Sequence, residues 1–306
     1  MPDGQLNLAR HFLFDRLAAG SGARAAIHTD DEVLDYDAVA ALTAGFGERM
    51  RAAGVHPEQR VVISLPDGPD MACAILGAIA IGAVAVMVSP ELRPEQLNSI
   101  LSAASSPLLV VDPAQVDSFR LAAVGSEQML VMGDRSWPRP GPVAAFEIHD
   151  SSRDDIAAWL FSGGTTGAPK IVPQSHRSFV NTTERYAQAT LGLQANDITI
   201  AVPRLYFGYA TGAALFFPFS VGASTVLFPD KPTPTVLFDQ IRRHRPTIFI
   251  TAPSAIAAML SEPFPEADLS SIRLATSAGE ALPEALYHRW VERFGVELLD
   301  GLGTAE

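Results

Sequence analysis

The chain has 306 residues, 48% of them hydrophobic and 18% charged, with a formal net charge of -12 at pH 7. An acidic surface of this size argues against a nucleic-acid partner, because phosphate backbones select basic faces. A single cysteine, Cys73, excludes an intramolecular disulfide and a cysteine-rich metal centre.

The N-terminal stretch MPDGQLNLARHF lacks the charged-then-apolar pattern of a secretory signal, so a cytoplasmic protein is expected. Asp35 to Gly54 has helical spacing with glycine as its stop, and RVVISLP reads as a short β-branched strand. Met71 to Val88 carries no charge over a length close to a membrane span, but it contains Gly77 and Gly82 and turns β-branched only after the second. It is read as a buried helix over 70–81 followed by a buried strand over 83–88, with no stable membrane span. PEQLNSILSAA then reads as helix and PLLVVD as strand. Such alternation implies crossover units, hence an α/β fold of mostly parallel, layered sheets with helices on both faces.

Gly133 to Pro142, GDRSWPRPGP, concentrates proline and glycine and is expected to link a first α/β subdomain, 1–140, to a second, 141–306. Beyond it IAAWLF, KIVPQ, ASTVLF, TIFITA and SIRLATSA are expected strands. Helices are expected at Arg177–Ala189 and near 233–244 and 283–294. The chain closes on DGLGTAE, a glycine-rich segment after a strand, where parallel α/β folds hold ligands. A chain ending there is expected to be a truncated protein or a fragment.

Chemistry concentrates in FSGGTTGAPK, Phe161 to Lys170, which ends on one of only two lysines in the chain. It lacks the spacing of a nucleotide-triphosphatase loop: four residues after Gly163 stands Ala168, Pro169 precedes Lys170, and Ile171 follows. No dinucleotide glycine pattern opens a helix either. Between two strands, Ser162, Gly163, Gly164, Thr165, Thr166 and Gly167 could still form an anion nest of amides and hydroxyls, with Lys170 as a point charge. A tight polar hairpin turn explains the same composition.

Taken together, FSGGTTGAPK, PRLYFGYATGAALFFPFSVGA (203–223), TSAGEALP (276–283) and DGLGTAE (300–306) resemble, in order, the motifs of the acyl-adenylate-forming (AMP-binding) superfamily. The benzoate-CoA ligase type is nearest, and the loop with IVPQSH also resembles dihydroxybenzoate-adenylating enzymes. The resemblance covers nearly the whole chain. It implies ATP-dependent activation of an aromatic, benzoate-like carboxylate to an acyl-adenylate, followed by thioester formation with coenzyme A. A carrier-protein thiol as acceptor, or a non-catalytic nucleotide-binding fragment, are the alternatives.

The resemblance also implies roles. Ser162 to Gly167 with Lys170 would hold the β- and γ-phosphates. Gly279, Glu280, Asp300, Gly301, Leu302, Gly303 and Thr304 would lie against the nucleotide, and Glu306 would bind Mg2+. Read without it, TSAGEALP is a strand end entering a helix, and Glu306 is a solvated charge. Leu302 stands where many relatives carry an aromatic residue, and Ala305 where many carry threonine. Tyr206, Phe207, Gly208 and Tyr209 would wall the acid pocket, an aromatic face with a glycine gap, or else they form a plain aromatic core strand. With no polar ring-reader in LYFGYA, benzoate or a weakly substituted benzoate is expected. His176 is expected to hydrogen-bond structurally. Lys231, in a proline-rich loop, matches no catalytic motif. The family's adenylating lysine lies in a C-terminal lid domain that is absent from these 306 residues, so this chain alone is expected to have feeble activity.

Overall fold

A computed structural model describes residues 4–122, 128–134, 137–162, 169–262 and 268–305. In chain order the strands are β1 (Ala25–His28), β2 (Val33–Asp35), β3 (Arg60–Ser64), β4 (Val84–Met87), β5 (Leu108–Val111), β6 (Gln128–Val131) and β7 (Ile156–Ser162). They continue as β8 (Lys170–Ser175), β9 (Ile198–Ala201), β10 (Ser224–Val226), β11 (Ile248–Thr251), β12 (Leu274–Ala278) and β13 (Leu298–Gly301). Two sheets result, ordered β13-β12-β11-β9-β10-β1-β2 and β6-β5-β3-β4-β7-β8. Each is parallel except at one edge, where β2 and β8 run antiparallel to their neighbours.

Alternation within the strands stacks the sheets into layers. Ile248 and Ile250 of one sheet and Val61 and Ile63 of the other enter a shared central core. Phe249, between the first pair, faces a second core built with the helices Pro234–His244, Pro253–Ser261 and Glu284–Phe294. Val62, between the second pair, faces a third core under the helices Pro94–Ala104 and Val116–Ala122. Both faces of each sheet are therefore covered, as parallel strands require. The central layer holds the helices Tyr36–Ala52 and Pro69–Ala80, which meet at backbone distance: a Cβ on Gly77 would sit 2.8 Å from the Cβ of Phe46 and 3.0 Å from the Gly47 nitrogen. The long apolar stretch of the sequence is thus a twelve-residue helix buried on every side, followed by β4. Among the described residues no helix is long and apolar enough to cross a membrane.

The proline-rich stretch does not separate the sheets. β1 and β2, from before it, join the seven-stranded sheet, while β7 and β8, from after it, join the six-stranded one. The stretch itself lies on the central layer, with Trp137 edge-on to Phe46 at 5.3 Å and the Gly141 amide donating to the Ala41 carbonyl at 2.8 Å. Strand pairing over such distances leaves no local trace, which is why composition suggests a boundary there.

His176 belongs to this framework. It opens the helix His176–Thr182, which continues through a wider turn over Thr183–Gln188. Its buried Nδ1 accepts the Leu8 amide at 3.1 Å, fastening the N-terminal segment to the end of β8. Burial, opposed by Asp155 and aided by His149, pushes its pKa from 6.5 down to about 4. The unfolded chain therefore takes up this proton first, and stability falls as pH drops from 6.5 towards 4. His176→Asn keeps an acceptor without a titrating ring; urea unfolding between pH 7.5 and 4 should show the wild type losing about 3 kcal/mol relative to it. Parallel pH profiles for the two proteins would contradict that assignment.

Candidate active site

Ligands in open parallel sheets bind beyond the carboxyl ends of the strands. Here the ends of β9, β11, β12 and β13 face the β7–β8 hairpin across a cavity of about 760 Å³. Leu160, Phe161 and Gln174 line it from the hairpin, Phe207, Gly208 and Tyr209 from the segment after β9, and Ala252 from the end of β11. Gly279 and Glu280 follow β12, and Gly301 to Ala305 close the far side.

The segment after β9 is fixed by its own hydrogen bonds. The Phe207 amide donates to the Arg204 carbonyl at 2.8 Å, and the Thr211 hydroxyl donates to the carbonyls of Leu205 and Phe207 at 2.8 and 3.1 Å. A short helix, Gly208–Thr211, begins there. Gly208 leaves no gap for a ring. A Cβ at this position would lie 2.4 Å from Leu160 Cδ1, so glycine admits Leu160 and the leucine forms the cavity wall. Phe207 is half-exposed at the mouth, while Tyr206 lies outside the cavity, packed on Phe207 at 4.7 Å.

Tyr209 reaches across to β12. Its hydroxyl is 2.6 Å from that of buried Thr276 in β12, and the Tyr186 phenol stands beside this pair. Burial raises the pKa of both phenols, so the group is a cluster of neutral hydroxyls. Tyr186 follows Ser178 and Thr182 at intervals of four residues, and all three line the cavity from one helical face. That spacing was visible in the sequence, but it was eclipsed by the glycine loop beside it. Phe217, also lining, meets Tyr186 edge-on at 6.0 Å.

Just beyond β12, Gly279 has φ +96° with open space around it, a conformation that favours glycine. Asp300 is not among the residues lining the cavity, and its carboxylate accepts the Leu282 amide at 3.4 Å. Leu302 is fully exposed, and the Ala305 carbonyl accepts Gln174 Nε2 at 2.6 Å, which ties this segment to β8 in the other sheet. Ser162 and Lys170 are the last pair of the antiparallel β7–β8 ladder, on either side of the connecting segment, and do not line the cavity. Gly163 to Gly167 between them, and Glu306, lie outside the described residues. Among the described residues no group of three or more acidic, histidine or cysteine side chains could hold a metal.

The hydroxyl cluster gives a stability prediction. Tyr209→Phe removes the 2.6 Å bond to Thr276 and should cost about 1–3 kcal/mol, whereas Tyr186→Phe leaves that bond intact and should cost less, about 0.5–1.5 kcal/mol. Urea unfolding of the two variants checks the order; equal or reversed losses would show that the cluster is not centred on Tyr209.

A sequence profile of the AMP-binding enzyme family matches residues 14–306. The chain is 34% identical over 310 aligned residues to the benzoate-CoA ligase of Thauera aromatica, an alignment covering 98% of this chain and 59% of that protein. Among solved structures it is similar to the anthranilate CoA ligase AuaEII in complex with anthranoyl-AMP, with a TM-score of 0.93, 32% identity and coverage of 99% of this chain and 60% of that one. A benzoate CoA ligase from Burkholderia xenovorans LB400 superposes with a TM-score of 0.89 at 31% identity, over 98% and 61% of the two chains. The chain thus spans about 60% of the length of these relatives. Its α/β layers, its ordered motifs and the profile over nearly its whole length agree: the chain belongs to the AMP-binding enzyme family.

Proposed function

We propose that this chain carries the acid-binding and nucleotide-binding surfaces of an ATP-dependent aromatic acid-CoA ligase. A benzoate-class carboxylate oxygen attacks the α-phosphorus of ATP, pyrophosphate leaves, and the thiol of coenzyme A then displaces AMP to give the thioester. The observation that carries this reading is the single cavity shared by Phe207–Tyr209 and by Gly279, Glu280 and Gly301–Thr304, which suits an acid and a nucleotide held side by side. Tyr209, Phe217 and Leu160 would enclose the aromatic ring, and Ser162 to Gly167 with Lys170 would meet the phosphates. Glu306 would hold Mg2+, which neutralises charge on the triphosphate.

Coenzyme A is favoured over a carrier-protein thiol because the relatives quoted above are named as CoA ligases. Their names also support an aromatic acid, with benzoate and anthranilate as examples. A cytoplasmic setting belongs to the same proposal and suits the one cysteine, Cys73, which is buried and unpaired.

Calorimetric titration of the chain with benzoate, 4-hydroxybenzoate, 2-aminobenzoate and hexanoate, each in the presence of AMP, tests the substrate class. At least one aromatic acid should bind about tenfold or more tighter than hexanoate, a difference of about 1.4 kcal/mol. Equal affinities for aromatic and aliphatic acids, or no binding of either, would contradict the reading.

A further inference from the structure

The turn that carries Phe207 to Tyr209 is anchored from the other sheet. Asp67 follows β3 in the loop before the helix Pro69–Ala80, and its side chain is only 7% exposed. Both carboxylate oxygens accept the Leu205 amide, at 3.1 and 3.2 Å, across a sequence separation of 138 residues. Among the described residues its ion-pair partner is Arg204, which stands off at 3.8 Å. That guanidinium is committed elsewhere: it donates to the carbonyls of Phe228 at 2.7 Å and of Asp230, and lies 4.9 Å over the Phe228 ring. Asp67 is therefore a buried anion with Arg204 as a counter-ion at a distance and the Leu205 amide as its direct hydrogen-bond donor.

Asp197 shows what a compensated site looks like in the same fold. Its carboxylate receives Arg273 at 2.6 and 2.9 Å, the Thr247 hydroxyl at 2.7 Å and the Gln194 amide at 2.8 Å. These bonds outweigh burial and lower its pKa. At Asp67 burial outweighs Arg204 and the Leu205 amide, and the pKa rises to about 6. A charge that destabilises the fold where it stands needs another reason to be there, and strained groups of this kind gather at functional sites.

We infer that Asp67 is a positioning residue: its buried carboxylate holds the Leu205 amide and so sets the Phe207–Tyr209 wall of the acid pocket, at the expense of stability. This rests on the proposed aromatic-acid function only for the ligand it positions; the wall itself is read without a ligand. The charged and titratable groups around it are Arg204, the Tyr206 phenol with Glu91 behind it, and Asp70 on the following helix, which bonds Trp137. Burial raises the pKa of Asp70 as well, so Asp70→Asn is the needed control.

The sign follows from linkage. A folded-state pKa above the unfolded one makes the folded chain bind the extra proton, so this group's contribution falls as pH rises from 3.8 through about 6. Asp67→Asn, which keeps an acceptor and loses the charge, should melt at the same temperature as wild type or higher at pH 7.5, by roughly 2–6 °C. The gap should narrow at pH 5. Amide hydrogen exchange should nevertheless speed up at Leu205 to Tyr209 in the variant, by about tenfold or more, and not at Asp197 to Ala201. Wild type should show the same loss of protection at Leu205 on going from pH 7.5 to 5, after correction for intrinsic exchange, and Asp70→Asn should keep that response. Benzoate affinity in the presence of AMP should drop about three- to tenfold in Asp67→Asn. A variant that fails to fold or melts well below wild type at pH 7.5, or unchanged exchange at Leu205, would overturn the inference. If exchange changes as expected while wild type binds no aromatic acid, the positioning of the wall stands and the aromatic-acid reading falls.

Discussion

Parallel strands must be covered on both faces, and two such sheets in one chain share their inner cover. Here the shared layer is the pair of helices Tyr36–Ala52 and Pro69–Ala80 with the aromatic segment around Phe216, all within one apolar core. The close contact at Gly77 lets that layer stay thin. Each fully buried leucine or isoleucine there contributes about 1.5–3 kcal/mol relative to exposure, so the layer fixes the spacing of the sheets strongly. With that spacing set, the carboxyl ends of β9 and β11 to β13 open towards the β7–β8 hairpin, and the cavity between them follows.

Polar bonds then fix what apolar packing leaves free. Gln174 to the Ala305 carbonyl and Asp67 to the Leu205 amide cross from the six-stranded sheet or its loops to segments leaving the seven-stranded one. The Tyr209–Thr276 contact joins the acid side of the cavity to the strand that leads into Gly279 and Glu280. Packing is non-directional, whereas these bonds are directional, and a site for two ligands in line needs the second kind of restraint.

Much of this could be read from the sequence, and the omissions share a cause. The helix–strand alternation, the strands on either side of the glycine loop and the strand end entering a helix at TSAGEALP follow from local periodicity and turn chemistry, and all are present. What escaped were relations between distant positions. Composition marks residues 133–142 as a boundary, yet β1 pairs with β10 and β4 with β7 across it. Gly208 reads as a gap, yet Leu160, nearly fifty positions earlier, occupies it. Asp67 sits in an unremarkable loop whose partner lies 138 residues on. Ser178, Thr182 and Tyr186 are the exception, since their spacing of four was itself a signal.

The central claim is that one cavity receives an aromatic acid and an adenine nucleotide together. It is tested most directly by titrating the chain with a non-hydrolysable benzoyl-adenylate mimic, such as a sulfamoyl-linked benzoyl adenosine, beside benzoate and AMP separately. Two neighbouring subsites filled by one linked molecule should give a gain of about 10²–10⁴ over the tighter of the separate ligands. A mimic that binds no better than AMP alone, or that leaves benzoate binding undisturbed, would contradict the account.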